Sequence, residues 1–251
     1  MRGSADLGCF PTGRHYPGIA HLLRIVAAGL ADEFPAETKI DDLLMVAIDT
    51  ETTGRDPLLD RIVEIACVTY KAGQIVDRKS WLVNPGRPIP KEAFDIHGIG
   101  DEEVKNAPPF AAVIGEVLEA AKGAVPVAYN AEYDRTILMT EIGRVTIDSS
   151  SLPPAVRKGI EWIDPLVWAR ELHRLEKSRS LGEVSQRLGI SLDQAHRAVH
   201  DAEAALRVFA EFLRDPRLPK TYAGLIQEQR RLARVFDDEH RLWRPRAPVA
   251  V

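Results

Sequence analysis

Residues 43–54, Leu-Leu-Met-Val-Ala-Ile-Asp-Thr-Glu-Thr-Thr-Gly, pass from an apolar run into an acidic, threonine-rich turn. The apolar run is typical of a buried β-strand, and the closing glycine indicates a turn. Asp49 and Glu51 are two residues apart, so on a strand their side chains share one face. Two carboxylates held this close repel each other, and a cation between them explains the pair most simply. A solvated acidic turn is the alternative, because Asp, Thr and Gly are all common in turns.

The sequence on either side of this strand predicts an α/β fold with a mixed sheet flanked by helices. Residues 61–70 and 74–83 flank Ala72-Gly73 and predict a β-hairpin. Further strands are predicted at 124–129 and 159–164, and helices at 110–122, 132–143, 165–174, 181–188 and 197–213. A hairpin followed by alternating strands and helices favours a mixed sheet over a purely parallel one.

The chain is predicted to contain a core domain at 42–214 with an extension at each end. The N-terminal extension, 1–41, carries an amphipathic helix from Ile19 to about Asp32. The C-terminal extension, 215–251, is predicted to be a basic helical tail. Residues 216–251 contain eight Lys or Arg against four Asp or Glu, so this part is +4 and the rest of the chain is −8. Such a tail is compatible with contact to phosphates, and a solvated helix face is the alternative.

The composition is that of an ordinary globular protein, with 251 residues, 45% hydrophobic and 28% charged. No stretch approaches the roughly 18 apolar residues that a membrane-spanning helix needs, so no membrane partner is expected. Cys9 and Cys67 are too few for a disulfide framework or a cysteine-based zinc site, which favours a reducing compartment and hence the cytoplasm. The net charge of −4 still permits a nucleic-acid partner, because bound divalent ions reverse the local field that a phosphate meets.

Two further acidic residues lie at predicted helix starts. Residues 128–134, Ala-Tyr-Asn-Ala-Glu-Tyr-Asp, connect a strand to a helix and place Asp134 in its first turn. Residues 194–202, Gln-Ala-His-Arg-Ala-Val-His-Asp-Ala, lead into the helix that ends near Leu213. Each has a plain structural explanation, since acids favour helix N-termini and Asn130 is a common N-cap residue type.

Taken together and in this order, the three elements resemble the DnaQ-like exonucleases with a histidine, the DEDDh group, over roughly residues 45–213. The shared features are D-x-E continuing as T-T-G, an Asp preceded by Asn-Ala and an aromatic, and His, four residues, then Asp. Within that family the sequence is similar to the epsilon proofreading subunits of bacterial DNA polymerase III. The resemblance implies a ribonuclease-H-like fold and 3′→5′ cleavage of phosphodiester bonds with two Mg²⁺ or Mn²⁺ ions. It makes His196 the general base and assigns metal binding to four acids, Asp49, Glu51, Asp134 and Asp201.

This chemistry agrees with the residue types present. Two divalent ions about 3.5–4 Å apart activate a water molecule and stabilise the departing 3′ oxygen. Hard cations prefer oxygen ligands, and neutral imidazole accepts a proton near physiological pH. His200 is closer to Asp201 in sequence than His196 is. Adjacent residues on a helix point about 100° apart, however, so His200 is expected to face away from a metal held by Asp201.

The resemblance also assigns contacts with the substrate. Residues 94–99, Phe-Asp-Ile-His-Gly-Ile, match a loop that lies beside the terminal nucleotide in relatives, where the residue at Ile96 packs on a base. The backbone at Thr52 is expected to meet the 3′ end, and Tyr133 to lie near the nucleotide. His97 and Asn130 are the remaining candidate substrate-binding residues. The alternative for residues 94–99 is a hydrophobic loop anchor with an exposed histidine.

The sequence leaves the substrate and the partners open. Single-stranded or frayed DNA ends are the preferred substrate, but an RNA-trimming enzyme would share the chemistry and differ in its 2′-OH contacts. Residues 49–52 also resemble the Asp-x-Asp-Thr nucleophile motif of haloacid-dehalogenase-type phosphatases, although the second Asp is missing. A phosphatase of that type would leave Asp134, His196 and Asp201 unexplained. A protein that only docks a polymerase through its terminal extensions is disfavoured, because all five active-site residues are present; docking in addition to catalysis is compatible with the sequence.

One carboxylate has no role in this scheme. Glu64 lies in a predicted strand, within Arg-Ile-Val-Glu-Ile-Ala-Cys at 61–67. A buried carboxylate needs hydrogen-bonding partners, and the sequence does not identify one.

Overall fold

The computed structural model describes residues 28–145, 147, 152–192 and 196–243. Four strands form one mixed sheet in the order β3-β2-β1-β4. The strands are β1 (Met45–Thr52), β2 (Ile62–Lys71), β3 (Gln74–Leu82) and β4 (Val125–Val127). The first three are antiparallel to their neighbours, and β4 runs parallel to β1. The predicted hairpin and the predicted mixed sheet are therefore confirmed.

Eight α-helices lie in the part of the chain that the structure describes. They are α1 (Lys91–His97), α2 (Asp101–Val104), α3 (Phe110–Ala120), α4 (Ala131–Gly143), α5 (Pro165–Leu172), α6 (Leu181–Arg187), α7 (Ala198–Phe212) and α8 (Tyr222–Trp243). Short 3-10 turns occur at Ile40–Asp42 and Pro154–Val156. None of these helices is long and apolar enough to cross a membrane.

The side chains of β1 alternate between two apolar cores. Met45 and Ala47 belong to the core on the face covered by α7, whereas Val46 and Ile48 belong to the core on the face covered by α3 and α4. The same alternation carries the two carboxylates at the end of β1 to the α7 face and the neighbouring threonines to the α4 face. The central strand thus presents its acidic side chains to one particular helix.

The predicted strand at 159–164 is reduced to a single parallel bridge between Val127 and Ile163. Gly159 has a φ of 87°, which a strand does not accommodate, and Pro165 already begins α5. Asp164 caps that helix by accepting a hydrogen bond from the N–H of Leu166 at 2.8 Å. Between the left-handed Gly159 and the helix that begins at Pro165, too few extended residues remain to form a paired strand.

Residues 94–99 were expected to form a loop, and this expectation is wrong. They belong largely to α1, which ends at Gly98 in the left-handed conformation with a φ of 72°. Pro90 precedes the helix in an extended conformation, and Lys91 and Asp95 pair across one helical turn. The prolines that end the hairpin therefore also start a short helix.

The predicted N-terminal helix, Ile19 to about Asp32, lies mostly outside the described residues. Its described end, residues 28–32, is a turn in which Gly29 has a φ of 85°. Leu30 and Ala31 follow this glycine and are buried in the core on the α7 face.

The helix predicted in the C-terminal extension, α8, packs into the same core as the central domain. Tyr222, Leu225 and Ile226 are buried in the core on the α7 face. The Tyr222 hydroxyl accepts a hydrogen bond from the N–H of Ala31 at 3.0 Å. Gln229 is also buried, and its side chain bonds the N–H of Asp164 and the carbonyl of Trp162, each at 2.8 Å. The first turns of α8 are therefore an integral part of the packing.

Candidate active site

Three carboxylates meet at the end of the central strand. Asp49 and Glu51 project from β1, and Asp201 projects from the first turn of α7. One ligand oxygen from each residue lies within 4.8 Å of the other two. The prediction that Asp49 and Glu51 share a face is confirmed, and the face is the one that α7 covers. Converging carboxylate oxygens of this kind suit a hard divalent cation.

The electrostatics of this cluster favour a bound cation. Burial, and then the charges of Asp134 and Asp201, raise the pKa of Asp49 well above its ordinary value. Burial and the Asp201 charge raise the pKa of Glu51 to about 8. Burial likewise raises the pKa of Asp201. Carboxylates that cannot all be charged at neutral pH take up either protons or a metal ion, so the cluster indicates use of a divalent metal.

Asp134 approaches from the other face of the sheet. It lies in the first turn of α4, is buried, and accepts a hydrogen bond from the Thr50 hydroxyl at 2.7 Å. Burial raises its pKa to about 7, although the bond from Thr50 opposes this. Asp134 is not one of the three residues whose ligand oxygens lie within 4.8 Å of one another. Its charge nevertheless raises the pKa values of Asp49 and Glu51. It is thus an electrostatic neighbour of the cluster.

The turn before α4 has an unusual backbone. Asn130 has a φ of 69° in the left-handed region, which few residues other than glycine adopt. The N–H groups of Asn130 and Ala131 both donate to the carboxylate of Asp164, at 2.9 and 3.1 Å. The Asn130 side chain makes no capping hydrogen bond, so the alternative of a plain N-cap does not apply.

A second residue with a left-handed backbone lies in the turn that leads into α7. His196 has a φ of 66°, and its side chain is exposed. Its backbone N–H donates to Oδ2 of Asp201 at 3.1 Å. His200 is half-buried within α7. The two histidines therefore occupy different environments, one on a turn beside the cluster and one on the helix itself.

A cavity of about 690 Å³ adjoins the acidic cluster between the end of β1 and α1. Four of the five predicted substrate-binding residues line it, namely Thr52, Ile96, His97 and Tyr133. The Tyr133 hydroxyl lies 2.6 Å from the carbonyl of Gly54 and 2.7 Å from the Thr52 hydroxyl, which closes one wall. Ile96 is exposed on another wall. Asn130, the fifth residue, lines a different cavity, together with Tyr129 and Leu166.

His97 is buried, which contradicts the alternative of an exposed histidine. Its Nδ1 accepts a hydrogen bond from the N–H of Ile99 at 3.0 Å, so Nε2 carries the proton and donates to the carbonyl of Thr52 at 3.2 Å. Burial lowers the pKa of the imidazole, which favours its neutral form. Both ring nitrogens are engaged within the protein, and His97 connects α1 to the end of β1.

Sequence reasoning missed two residues that position the acidic side chains. Thr50 holds Asp134, and Asp164 holds the turn before α4. The Asp164-Pro165 pair is a typical helix start and was a usable signal for a cap. Thr50 carried no signal, because its partner lies 84 residues away.

A larger cavity, of about 910 Å³, lies at the opposite end of the sheet, between the hairpin turn and the end of α7. Its arginines include Arg78 and Arg207, which both pair with Glu203. It does not adjoin the carboxylate cluster, so the smaller cavity is the one relevant to the chemistry.

A mixed sheet with a carboxylate cluster at the end of its central strand, next to an open cavity, defines a nuclease with a ribonuclease-H-like fold. The family model described as Exonuclease matches residues 46–209. The chain belongs to this exonuclease family.

Two relatives are DNA polymerase III PolC-type proteins. The chain is 32% identical over 219 residues to that of Streptococcus thermophilus, covering 84% of this chain and 14% of the relative. It is 34% identical over 181 residues to that of Thermotoga maritima, covering 70% and 12%. The chain thus spans about a seventh of the length of these relatives or less.

Solved structures show the same fold. Exonuclease X in complex with 5′ overhanging duplex DNA is 28% identical with a TM-score of 0.55, covering 72% of this chain and 98% of that one. E. coli Exonuclease I in complex with a dT13 oligonucleotide is 18% identical with a TM-score of 0.58, covering 78% and 43%. At that identity the second likeness concerns the fold alone.

Proposed function

We propose that this chain is a metal-dependent 3′→5′ exonuclease that removes nucleotides from the 3′ ends of DNA. The observation that carries this proposal is the convergence of Asp49, Glu51 and Asp201 within 4.8 Å beside an open cavity. Membership of the exonuclease family supports it. Divalent ions held by such carboxylates would supply the charge stabilisation that phosphodiester hydrolysis needs.

The residues present fit two Mg²⁺ or Mn²⁺ ions. All the donors are carboxylate oxygens, and their raised pKa values reflect burial and mutual repulsion that a cation would relieve. Asp49, Glu51, Asp134 and Asp201 would hold the ions. When bound, such ions supply an activated water and stabilisation of the leaving oxygen.

The remaining residues would orient the substrate and accept a proton. His196, exposed on its turn beside Asp201, is the general base for the attacking water. Ile96 offers an apolar surface to the terminal base, and the turn at Thr52 receives the 3′-terminal sugar. Tyr133 keeps that turn in place through its hydrogen bond to the carbonyl of Gly54.

Direction and metal dependence are testable together. An oligonucleotide with a free 3′-OH should be shortened one nucleotide at a time, and a 3′-phosphate should slow or block the reaction. EDTA should abolish activity and Mg²⁺ or Mn²⁺ should restore it. Release of label from the 5′ end of a substrate with a blocked 3′ end would contradict the assigned direction.

DNA is the proposed substrate because the relatives at 32–34% identity are named DNA polymerases and the 28% identical structure holds duplex DNA. The same relatives support a role in DNA replication or repair in association with a DNA polymerase. A cytoplasmic location is proposed from the two cysteines of the sequence, which are too few for a disulfide framework. Matched DNA and RNA oligonucleotides test the substrate directly. Faster digestion of the RNA would make the chain an RNA-trimming enzyme with the same chemistry.

A further inference from the structure

Glu64 is a buried carboxylate that the proposed chemistry does not use. It lies on β2 directly opposite Glu51 in the antiparallel pair with β1, and only 2% of it is exposed. A second carboxylate this close to Glu51 would increase the repulsion at the acidic cluster unless a cation compensates for it.

The compensating cation is Arg197, which immediately follows His196. Its guanidinium donates to both oxygens of Glu64, at 3.0 and 3.1 Å. Glu64 also accepts a hydrogen bond from the Ser80 hydroxyl at 2.8 Å. Burial alone would raise the pKa of Glu64, but the bonds from Arg197 and Ser80 bring that pKa below its ordinary value. Glu64 therefore stays charged.

Glu64 also holds the start of α7. Its Oε2 accepts a hydrogen bond from the N–H of Ala198, the first residue of the helix, at 3.1 Å. That N–H has no acceptor within its own helix, so a residue 134 positions away in sequence caps α7. On the other side, Asp201 accepts the N–H of His196. The turn at 196–198 is consequently held from β2 and from α7 at once.

We propose that Glu64 and Arg197 are a positioning pair that sets Asp201 and His196 in register with Asp49 and Glu51. This inference rests on the proposed function and concerns the supporting contacts of the same site. The pair acts by geometry, through the hydrogen bonds by which Glu64 holds Arg197 and the N–H of Ala198 at the start of α7.

Mn²⁺ binding to the full chain, measured by calorimetry without substrate, tests the proposal. Supporting contacts around a metal site typically change affinity by about 10–100-fold, so Glu64→Gln should weaken Mn²⁺ binding at least about tenfold. Glu64→Gln/Arg197→Met restores a neutral pair without the ion pair, and it should remain as weak. If the double variant regains wild-type affinity, the pair acts through charge alone and the proposal is overturned.

Glu141→Gln is the matched control, because Glu141 is equally buried and pairs with Arg61 at 2.6 Å outside the acidic cluster. It should change Mn²⁺ affinity less than about twofold even though it lowers the melting temperature. An equal loss of affinity in this control would mean that both variants act by general destabilisation, and would overturn the proposal.

Arg197→Lys covers the case in which the Gln variants fail to fold. It keeps the charge at a partly exposed position but loses the two-pronged contact, so Mn²⁺ affinity should fall by about three- to tenfold with little change in melting temperature. Unchanged affinity would overturn the proposal. Failure of the wild-type chain to bind Mn²⁺ would instead overturn the proposed function itself.

Discussion

The backbone N–H of His196 donates a 3.1 Å hydrogen bond to Oδ2 of Asp201, and this contact connects the turn before α7 to the first turn of that helix. His196 makes this contact from the left-handed conformation, with a φ of 66°. The contact uses the backbone of His196 and leaves the exposed imidazole available for catalysis. His200 lies within α7 and is half-buried.

We expect His196→Ala to lower kcat by about 10²–10⁴-fold while leaving Mn²⁺ affinity largely intact, because the backbone contact with Asp201 survives the substitution. His200→Ala is the matched control and should change kcat little. Single-turnover rates on a short oligonucleotide measure both variants. A larger loss of kcat in His200→Ala would show that His196 is wrongly assigned as the general base.

Asp49→Asn should abolish turnover and yet stabilise the metal-free protein. The substitution removes a buried carboxylate whose pKa is raised by burial and by Asp134 and Asp201, so it relieves repulsion that the native fold tolerates. The melting temperature in EDTA should therefore rise. Asp95→Asn, at an exposed surface pair with Lys91, should leave both quantities nearly unchanged. Retained activity in Asp49→Asn would exclude a metal-binding role.

The metal-free protein should lose stability as the pH rises from about 4 to about 8. The pKa of Glu51 is raised from 4.5 to about 8 and that of Asp134 from 3.8 to about 7, mainly by burial. Between the unfolded and folded pKa values the native state binds more protons than the unfolded state, so raising the pH favours unfolding. Urea denaturation in EDTA at several pH values measures this slope.

Addition of Mg²⁺ should make the free energy of unfolding depend less on pH, because the ion replaces the protons that the native carboxylates otherwise retain. A metal-free protein whose stability increases over that pH range would show that these carboxylates are charged and paired in the native state, contrary to the geometry of the site.

Tyr222→Phe should cost about 1–3 kcal/mol of unfolding free energy, because the buried N–H of Ala31 would lose its acceptor. Arg231→Ala, at an exposed pair on the same helix, should cost much less, because an ion pair in solvent contributes little to stability. Urea denaturation at fixed metal concentration compares the two. Equal costs would mean that α8 does not contribute to the core through this contact.

Local patterns in the sequence were enough to predict the hairpin, the mixed sheet and the shared face of Asp49 and Glu51. These features depend on the period of two along a strand and on turn residues at fixed positions, which are properties of short segments. The same reasoning failed at residues 159–164, where Gly159 and Pro165 interrupt an apolar run, and at α1, which is short and lies between two turn signals.

Which side chains meet was decided only by the tertiary structure. Thr50 supports Asp134 from across 84 residues, and Arg197 neutralises Glu64 from across 133. The burial of His97 likewise depends on how α1 packs against the end of β1. The sequence determined the identity of the carboxylates and their placement at strand and helix ends, because those are local choices. Their convergence depends on the packing of α4 and α7 against opposite faces of β1, which no local pattern encodes.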